Sequence, residues 1–239
     1  MKSRSTRANI FHFKKFSIDD SRCAMKVGTD AVLLGAWVNI HNAKRILDIG
    51  TGSGVIALML AQRIDENAKI DAVEIAKDDA QQATENIKAS PWEGKVIIHE
   101  SAIQDYDAEY RYDLIVSNPP YFINSLTPPT QSRTQARHAQ SLSFEELINH
   151  SVPLLNPNGR LAVILPVAES NTFKLIANSK QLSLIRETAF YSRENKPQER
   201  WLLEFSLTHQ SLASDKLILY DTGGNKSSRY LELTGDFYL

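Results

Sequence analysis

A single cysteine, Cys23, excludes an internal disulfide and any zinc site built from several thiolates. The six histidines show no metal-ligand spacing, so no metal is expected. No apolar run approaches the length that spans a bilayer, and Met1 to Asn9 is polar and basic with no apolar segment behind it. The expectation is a chain of a reducing, cytoplasmic compartment, neither secreted nor membrane-inserted. Internal repeats and low-complexity tracts are lacking too. Strong charge of either sign is also missing: the net charge is −1, so overall electrostatics announces no nucleic-acid partner.

What is present is unevenly placed. Lys2, Arg4, Arg7, Lys14, Lys15, Arg22 and Lys26 crowd the first stretch against only Asp19 and Asp20, with Phe11, Phe13 and Phe16 interleaved. Such a mixture can track a phosphate backbone. The competing reading is a solvated basic arm whose Phe11, Phe13 and Ile18 pack as a strand or cap. With 239 residues, 42% of them hydrophobic, the chain can bury one substantial core. A single domain is expected: an arm and cap over 1–28, a catalytic core over 29–207 and a C-terminal strand extension over 208–239. A monomer is the expected state.

Thr29 or Asp30 can cap a helix through Ala31–Trp37. An alternation then begins, with strands over Arg45–Ile49, Lys69–Ile75 and Lys95–His99 separated by helices over Ser53–Arg63 and Lys77–Ala89. Tyr112–Ser117 and Gly159–Pro166 read as further buried strands, and Ser143-Phe144-Glu145-Glu146 between them is a capping-box signature. Alternation of this kind calls for an α/β fold, a mainly parallel sheet with helices on both faces. Trp201–Leu207, Lys216–Tyr220 and Arg229–Leu239 read as closing strands joined through Thr222-Gly223-Gly224-Asn225. The segment Phe122 to Leu142 is long and polar. It would overhang a substrate side, where Arg133 and Arg137 could reach phosphate, or form a plain surface loop.

Two motifs carry chemistry. The first is Asp48-Ile49-Gly50-Thr51-Gly52-Ser53-Gly54, a strand that turns through glycines into a helix, with Glu74 ending the next strand about 20 residues later. Glu74 is placed to accept from two ribose hydroxyls, and Asp48 to neutralise a cofactor ammonium. S-adenosylmethionine has such a group and NAD does not. After the third strand, Ser101 and Ala102 stand where methyltransferases of Rossmann type receive adenine, although an acidic side chain is commoner at the Ser101 position.

The second motif is Asn118-Pro119-Pro120-Tyr121, at the carboxyl end of the buried strand Tyr112–Ser117. Two prolines fix their own φ, remove two N–H donors and leave carbonyls free beside an oriented amide. If Asn118 and the Pro119 carbonyl accept the two hydrogens of a planar amino group, its lone pair localises toward a methyl sulfonium, with no strong base required. Tyr121 would stack on an unstacked base. Together these residues indicate a methyltransferase acting on an amino nitrogen. The tetrapeptide itself leaves the acceptor open: it resembles the motif of adenine-N6 enzymes and of protein-glutamine N5-methyltransferases alike, guanine-N2 enzymes more often show Phe in place of Tyr, and another RNA amino-group methyltransferase is a further alternative. A silent RNA-binding module that kept the fold is the non-enzymatic alternative.

The ends of the chain are more specific. Phe13-Lys14-Lys15-Phe16 with Arg22 through Trp37, and Leu233-Thr234-Gly235-Asp236-Phe237-Tyr238-Leu239, closely resemble the bacterial tRNA1(Val) (adenine-37-N6)-methyltransferase family. That resemblance implies a Rossmann-like class I fold, mainly parallel and seven-stranded, and an S-adenosylmethionine-dependent enzyme that modifies N6 of the adenine beside the anticodon of a valine tRNA. It also implies that the block from Met25 to Asp30 lies over the cofactor with Thr29 close to it. Cys23 is expected to pack rather than react.

Overall fold

The computed structural model describes residues 10–120 and 142–238. Strands β3 (Arg45–Ile49), β4 (Lys69–Glu74) and β6 (Tyr112–Ser117) are almost continuously buried, as near-unbroken apolar runs must be when helices cover both faces of a parallel sheet. With β5 (Val96–Glu100), β7 (Leu155–Pro166), β8 (Ser183–Arg193), β9 (Arg200–Ser206) and β10 (Ala213–Tyr220) they form one eight-stranded sheet in the order β10-β8-β9-β7-β6-β3-β4-β5. Within that sheet only β9 runs antiparallel to its neighbours. The expected count of seven is therefore corrected to eight: β10 adds an outer strand parallel to β8.

Helices α1 (Thr29–Trp37) and α2 (Val55–Arg63) carry seven consecutive buried residues each, because they are packed against each other as well as the sheet. Gly35 makes that approach possible; a Cβ there would stand 2.9 Å from Met59 Sδ. Arg63 donates to the carbonyls of Gly35 at 2.7 Å and Val38 at 2.9 Å, closing the end of α1. Thr29 is the first residue of α1 rather than its cap. Gly28 occupies the cap position without a side-chain bond, and Asp30 instead pairs with Arg200 at 2.8 Å.

The remaining helices are α3 (Lys77–Lys88), α4 (Phe144–Ser151), α5 (Val167–Ser179) and α6 (Ser228–Thr234). The Ser143–Glu146 capping box opens α4 as its sequence signals. The strand expected over Arg229–Leu239 is instead α6, capped by Ser227, whose hydroxyl accepts from the Tyr230 amide. The turn through Gly224, at φ 82°, delivers the chain from β10 to this helix.

The arm is part of the fold. Strands β1 (Ile10–His12) and β2 (Ser17–Asp19) make a hairpin that sinks Phe13, Phe16 and Ile18 into the same core as α1, α2 and Phe237. Phe13 stacks on Phe16 with ring centroids 4.4 Å apart, and the Lys14 amide donates to the Phe237 carbonyl at 2.8 Å. The packing reading holds for the aromatics of the arm.

Candidate active site

The sheet's strand order reverses direction between β3 and β6. From β3 the chain steps outward through β4 and β5, and from β6 it steps the other way through β7. The carboxyl ends of such strands leave a crevice at the switch, where open α/β sheets bind ligands. Asp48, Glu74, Ser101 and Asn118 all come to that edge.

The glycine turn leaves β3 through three left-handed residues, Gly50 at φ 73°, Gly52 at φ 56° and Gly54 at φ 81°. A Cβ on Gly50 or Gly52 would meet nothing within 4 Å, so backbone conformation rather than crowding selects glycine there. The turn is held from the neighbouring strand. Val73 O accepts from the Gly50 amide at 2.9 Å and the Thr51 amide at 3.2 Å. Glu74 uses both oxygens on backbone: Oε2 accepts from the Gly52 amide and Oε1 from the Ala76 amide, each at 2.9 Å. Its carboxylate thus joins the glycine turn to the start of α3. Burial raises its pKa, against the pull of those amides.

Asp48 is fully buried. Its Oδ2 accepts from the Thr51 hydroxyl at 2.7 Å, while Oδ1 has no partner among the described residues. Burial pushes the carboxyl up to about 7, outweighing the Thr51 hydroxyl and the Ala57 amide, and nearby Glu74 adds to the rise. A buried carboxyl with an unused oxygen is costly unless a cation completes it. These acceptors therefore fit the ammonium of S-adenosylmethionine at Asp48 and hydroxyl groups at Glu74.

At the end of β5, the Ser101 amide donates to Glu74 O at 3.0 Å, and the Ser101 hydroxyl donates to Ala102 O at 2.9 Å. Both residues are half-buried, and the oxygen lone pairs of Ser101 remain available. Replacing Ser101 with Asp is expected to bind S-adenosylmethionine at least as tightly as the parent in calorimetry. A large loss of affinity would move the adenine contact to another residue.

At the end of β6, the Ser117 hydroxyl donates to Ile49 O at 2.8 Å and so ties this strand end to the start of the glycine turn. Asn118 follows, half-buried, with a buried Oδ1 that has no partner among the described residues. Pro119 is buried and Pro120 exposed. Tyr121, Arg133 and Arg137 lie outside the described residues. Thr29 is exposed at the start of α1, and its neighbour Asp30 holds Arg200, the β9 residue that faces Pro166 at the end of β7. This puts Thr29 at the same sheet edge as the crevice.

The basic arm residues are less uniform than their sequence suggests. Lys14 and Lys15 are exposed, although Lys14 Nζ donates to Gly235 O at 2.6 Å. The Arg22 side chain reaches α3, donating to Gln82 at 2.9 Å and pairing with Glu85. Cys23 is buried beside Asp79 and Asp20, and burial pushes its thiol up to about 12, away from thiolate reactivity. Sequence reasoning missed Thr51 as the partner of Asp48 and Ser117 as the link between the two motifs. Their adjacency to those motifs was the available signal. Among the described residues there is no group of three or more His, Cys, Asp or Glu that could hold a metal, and no helix long and apolar enough to cross a membrane.

A sheet of this order, with a glycine turn and a buried carboxyl that leaves one oxygen unpartnered among the described residues at its switch point, defines a class I methyltransferase. Solved structures agree on the fold: one described as a predicted O-methyltransferase from Agrobacterium tumefaciens superposes with a TM-score of 0.70 at 19% identity, covering 87% of this chain and 96% of that one. Residues 21–191 match the methyltransferase small domain family. Curated relatives named tRNA1(Val) (adenine(37)-N6)-methyltransferase include one from Aeromonas hydrophila, 44% identical over 98% of each chain. Another, from Bacteroides fragilis, is 43% identical over 96% of this chain and 98% of its own length. The chain belongs to this tRNA1(Val) (adenine(37)-N6)-methyltransferase family.

Proposed function

We propose that the protein methylates N6 of adenine 37 in the anticodon loop of tRNA1(Val), with S-adenosylmethionine as donor, acting as a cytoplasmic monomer. The observation that carries the reading is a pair of buried acceptors at one switch point, Asp48 Oδ1 and Asn118 Oδ1, that have no partner among the described residues. The first suits a cationic cofactor and the second an amino group. When bound, the cofactor supplies an electrophilic methyl group on a sulfonium. Asp48 neutralises its ammonium, Glu74 accepts from its ribose hydroxyls, and Ser101 and Ala102 flank its adenine.

Asn118 Oδ1 and the Pro119 carbonyl accept the two N6 hydrogens of the target adenine and turn its lone pair out of conjugation. Ser117, by anchoring β6 to Ile49 O, fixes the spacing between donor and acceptor sites. The N6–C bond forms as the S–C bond breaks, and one N6 proton then passes to solvent. Tyr121 stacks on the base. Mass spectrometry of nucleosides from tRNA incubated with the protein and S-adenosylmethionine tests the whole reading: N6-methyladenosine in tRNA1(Val) supports it, and no methylated adenine refutes it.

Lys14 and Lys15 of the hairpin, with Arg22, Arg133 and Arg137, are the proposed phosphate contacts. Lys15 is the cleanest probe, since Arg22 also pins the arm to α3. Replacing Lys14 and Lys15 with Ala is expected to weaken tRNA binding and lower the salt slope by about 0.7–0.9 for each phosphate no longer neutralised. Filter binding across a salt series decides this, and an unchanged slope in a normally melting variant would remove the hairpin from the RNA footprint.

A further inference from the structure

Asn86 is a polar residue in the last turn of α3, and it is only 4% exposed. Asparagine there is a poor helix former, and burying a primary amide is costly unless its donors and acceptor are matched. They are matched by distant backbone. Asn86 Oδ1 accepts from the Asp19 amide at 3.0 Å, and Nδ2 donates to the Asp19 carbonyl at 2.8 Å, so the side chain pairs with β2 as another strand would. The same Nδ2 donates to the Ser53 carbonyl at 2.8 Å, inside the glycine turn. One amide therefore joins the arm, α3 and the turn, across sequence separations of 67 and 33 residues.

The join is reinforced on the arm side. Downstream of Asp19, Arg22 binds Gln82 and Glu85, the Ala24 amide donates to Asp79 at 3.3 Å, and the Val27 amide donates to Asp20 at 2.8 Å. On the turn side Ser53 has no comparable anchor among the described residues. The glycines around it are in left-handed conformations that impose no side-chain packing, so the carbonyl of Ser53 is oriented by Asn86. Gly54 adds to the fit, since a Cβ there would touch Ala83 of α3 at 3.4 Å.

We propose that Asn86 is a positioning residue for the cofactor site, through which the N-terminal arm sets the shape of the glycine turn. The proposal rests on the reading of that turn as the S-adenosylmethionine pocket. Asn86→Ala removes all three bonds. Asn86→Asp keeps the size and the acceptor but sets an oxygen against the Asp19 and Ser53 carbonyls, so it is expected to be the more damaging of the two.

For Asn86→Ala, the KM and calorimetric Kd for S-adenosylmethionine are expected to rise at least tenfold, while kcat at saturating cofactor stays within about threefold of the parent. A core substitution on α5, Phe173→Leu, lowers the melting temperature without that split. Equal cofactor affinity in folded Asn86→Ala and parent overturns the proposal. Hydrogen exchange on the parent gives a second test that needs no variant. Cofactor is expected to slow exchange across 17–27 as well as across 50–54, whereas protection confined to 50–54 refutes the coupling. Failure of the parent itself to bind S-adenosylmethionine would instead reject the pocket assignment.

Discussion

Asn118→Ala is expected to lower kcat for adenine methylation by roughly 100-fold or more while leaving the Kd for S-adenosylmethionine within about twofold of the parent. The asymmetry follows from where the deleted atom acts. An exocyclic amine is a poor nucleophile while its lone pair is delocalised into the ring. An acceptor that draws on the N6 hydrogens gains strength as the nitrogen becomes tetrahedral, so its removal is felt in the transition state. The buried Asn118 Oδ1 has no partner among the described residues, so it can take that role without first breaking a bond to them. Single-turnover assays with saturating cofactor and tRNA isolate the chemical step. Parent-like rates in a folded Asn118→Ala protein would end the proposed mechanism.

The second large effect concerns Asp48. Asp48→Asn is expected to weaken S-adenosylmethionine binding by about 10- to 100-fold, because it removes a charge-assisted partner worth on the order of 1–3 kcal/mol. The parent should also bind more tightly as pH rises from 6 to 8. Burial holds the Asp48 carboxyl at about 7, so at pH 6 a proton must leave before the ammonium can be neutralised. Calorimetry in buffers of different ionisation enthalpy should register that proton release, and Asp48→Asn should abolish it.

Without cofactor the sign reverses. The raised pKa contributes stability that is fully present below the unfolded value of 3.8 and is lost as pH rises through about 7. At pH 8 the cofactor-free Asn variant should therefore melt no lower than the parent. A pH-independent parent Kd would show that Asp48 does not meet the ammonium.

The central strands were legible because β3, β4 and β6 are buried on both faces and read as apolar runs that end in glycine, acid or proline. Both motif ends were legible for the same reason, since chemistry at the edge of a parallel sheet sits where an apolar run stops. β8 was not, and the register shift between Leu184 and Arg186 shows why: the irregularity interrupts the alternation by which a strand is recognised. Helix α5 buries Ser170, Phe173 and Ala177, a correct helical spacing with only one large apolar residue on it. In α6 the run Tyr230-Leu231-Glu232-Leu233 imitates a strand, yet Tyr230 is buried and Leu231 half exposed, because Ser227 caps a helix there. Asn86 carried no local signal at all. Its partners are backbone groups far away in sequence, and only the fold brings them to it.

The hairpin that begins the described chain rests on Phe237 near its end, with the Lys14 amide on the Phe237 carbonyl and the Lys14 ammonium on that of Gly235. Contacts this distant in sequence carry a loop-closure cost and slow the search for the native state. During synthesis Phe13 and Phe16 therefore lack part of their final cover until Phe237 has followed. The arm is attached through Asn86 to the glycine turn, so a turn shaped by the arm, as proposed, would be set only once these distant contacts have closed.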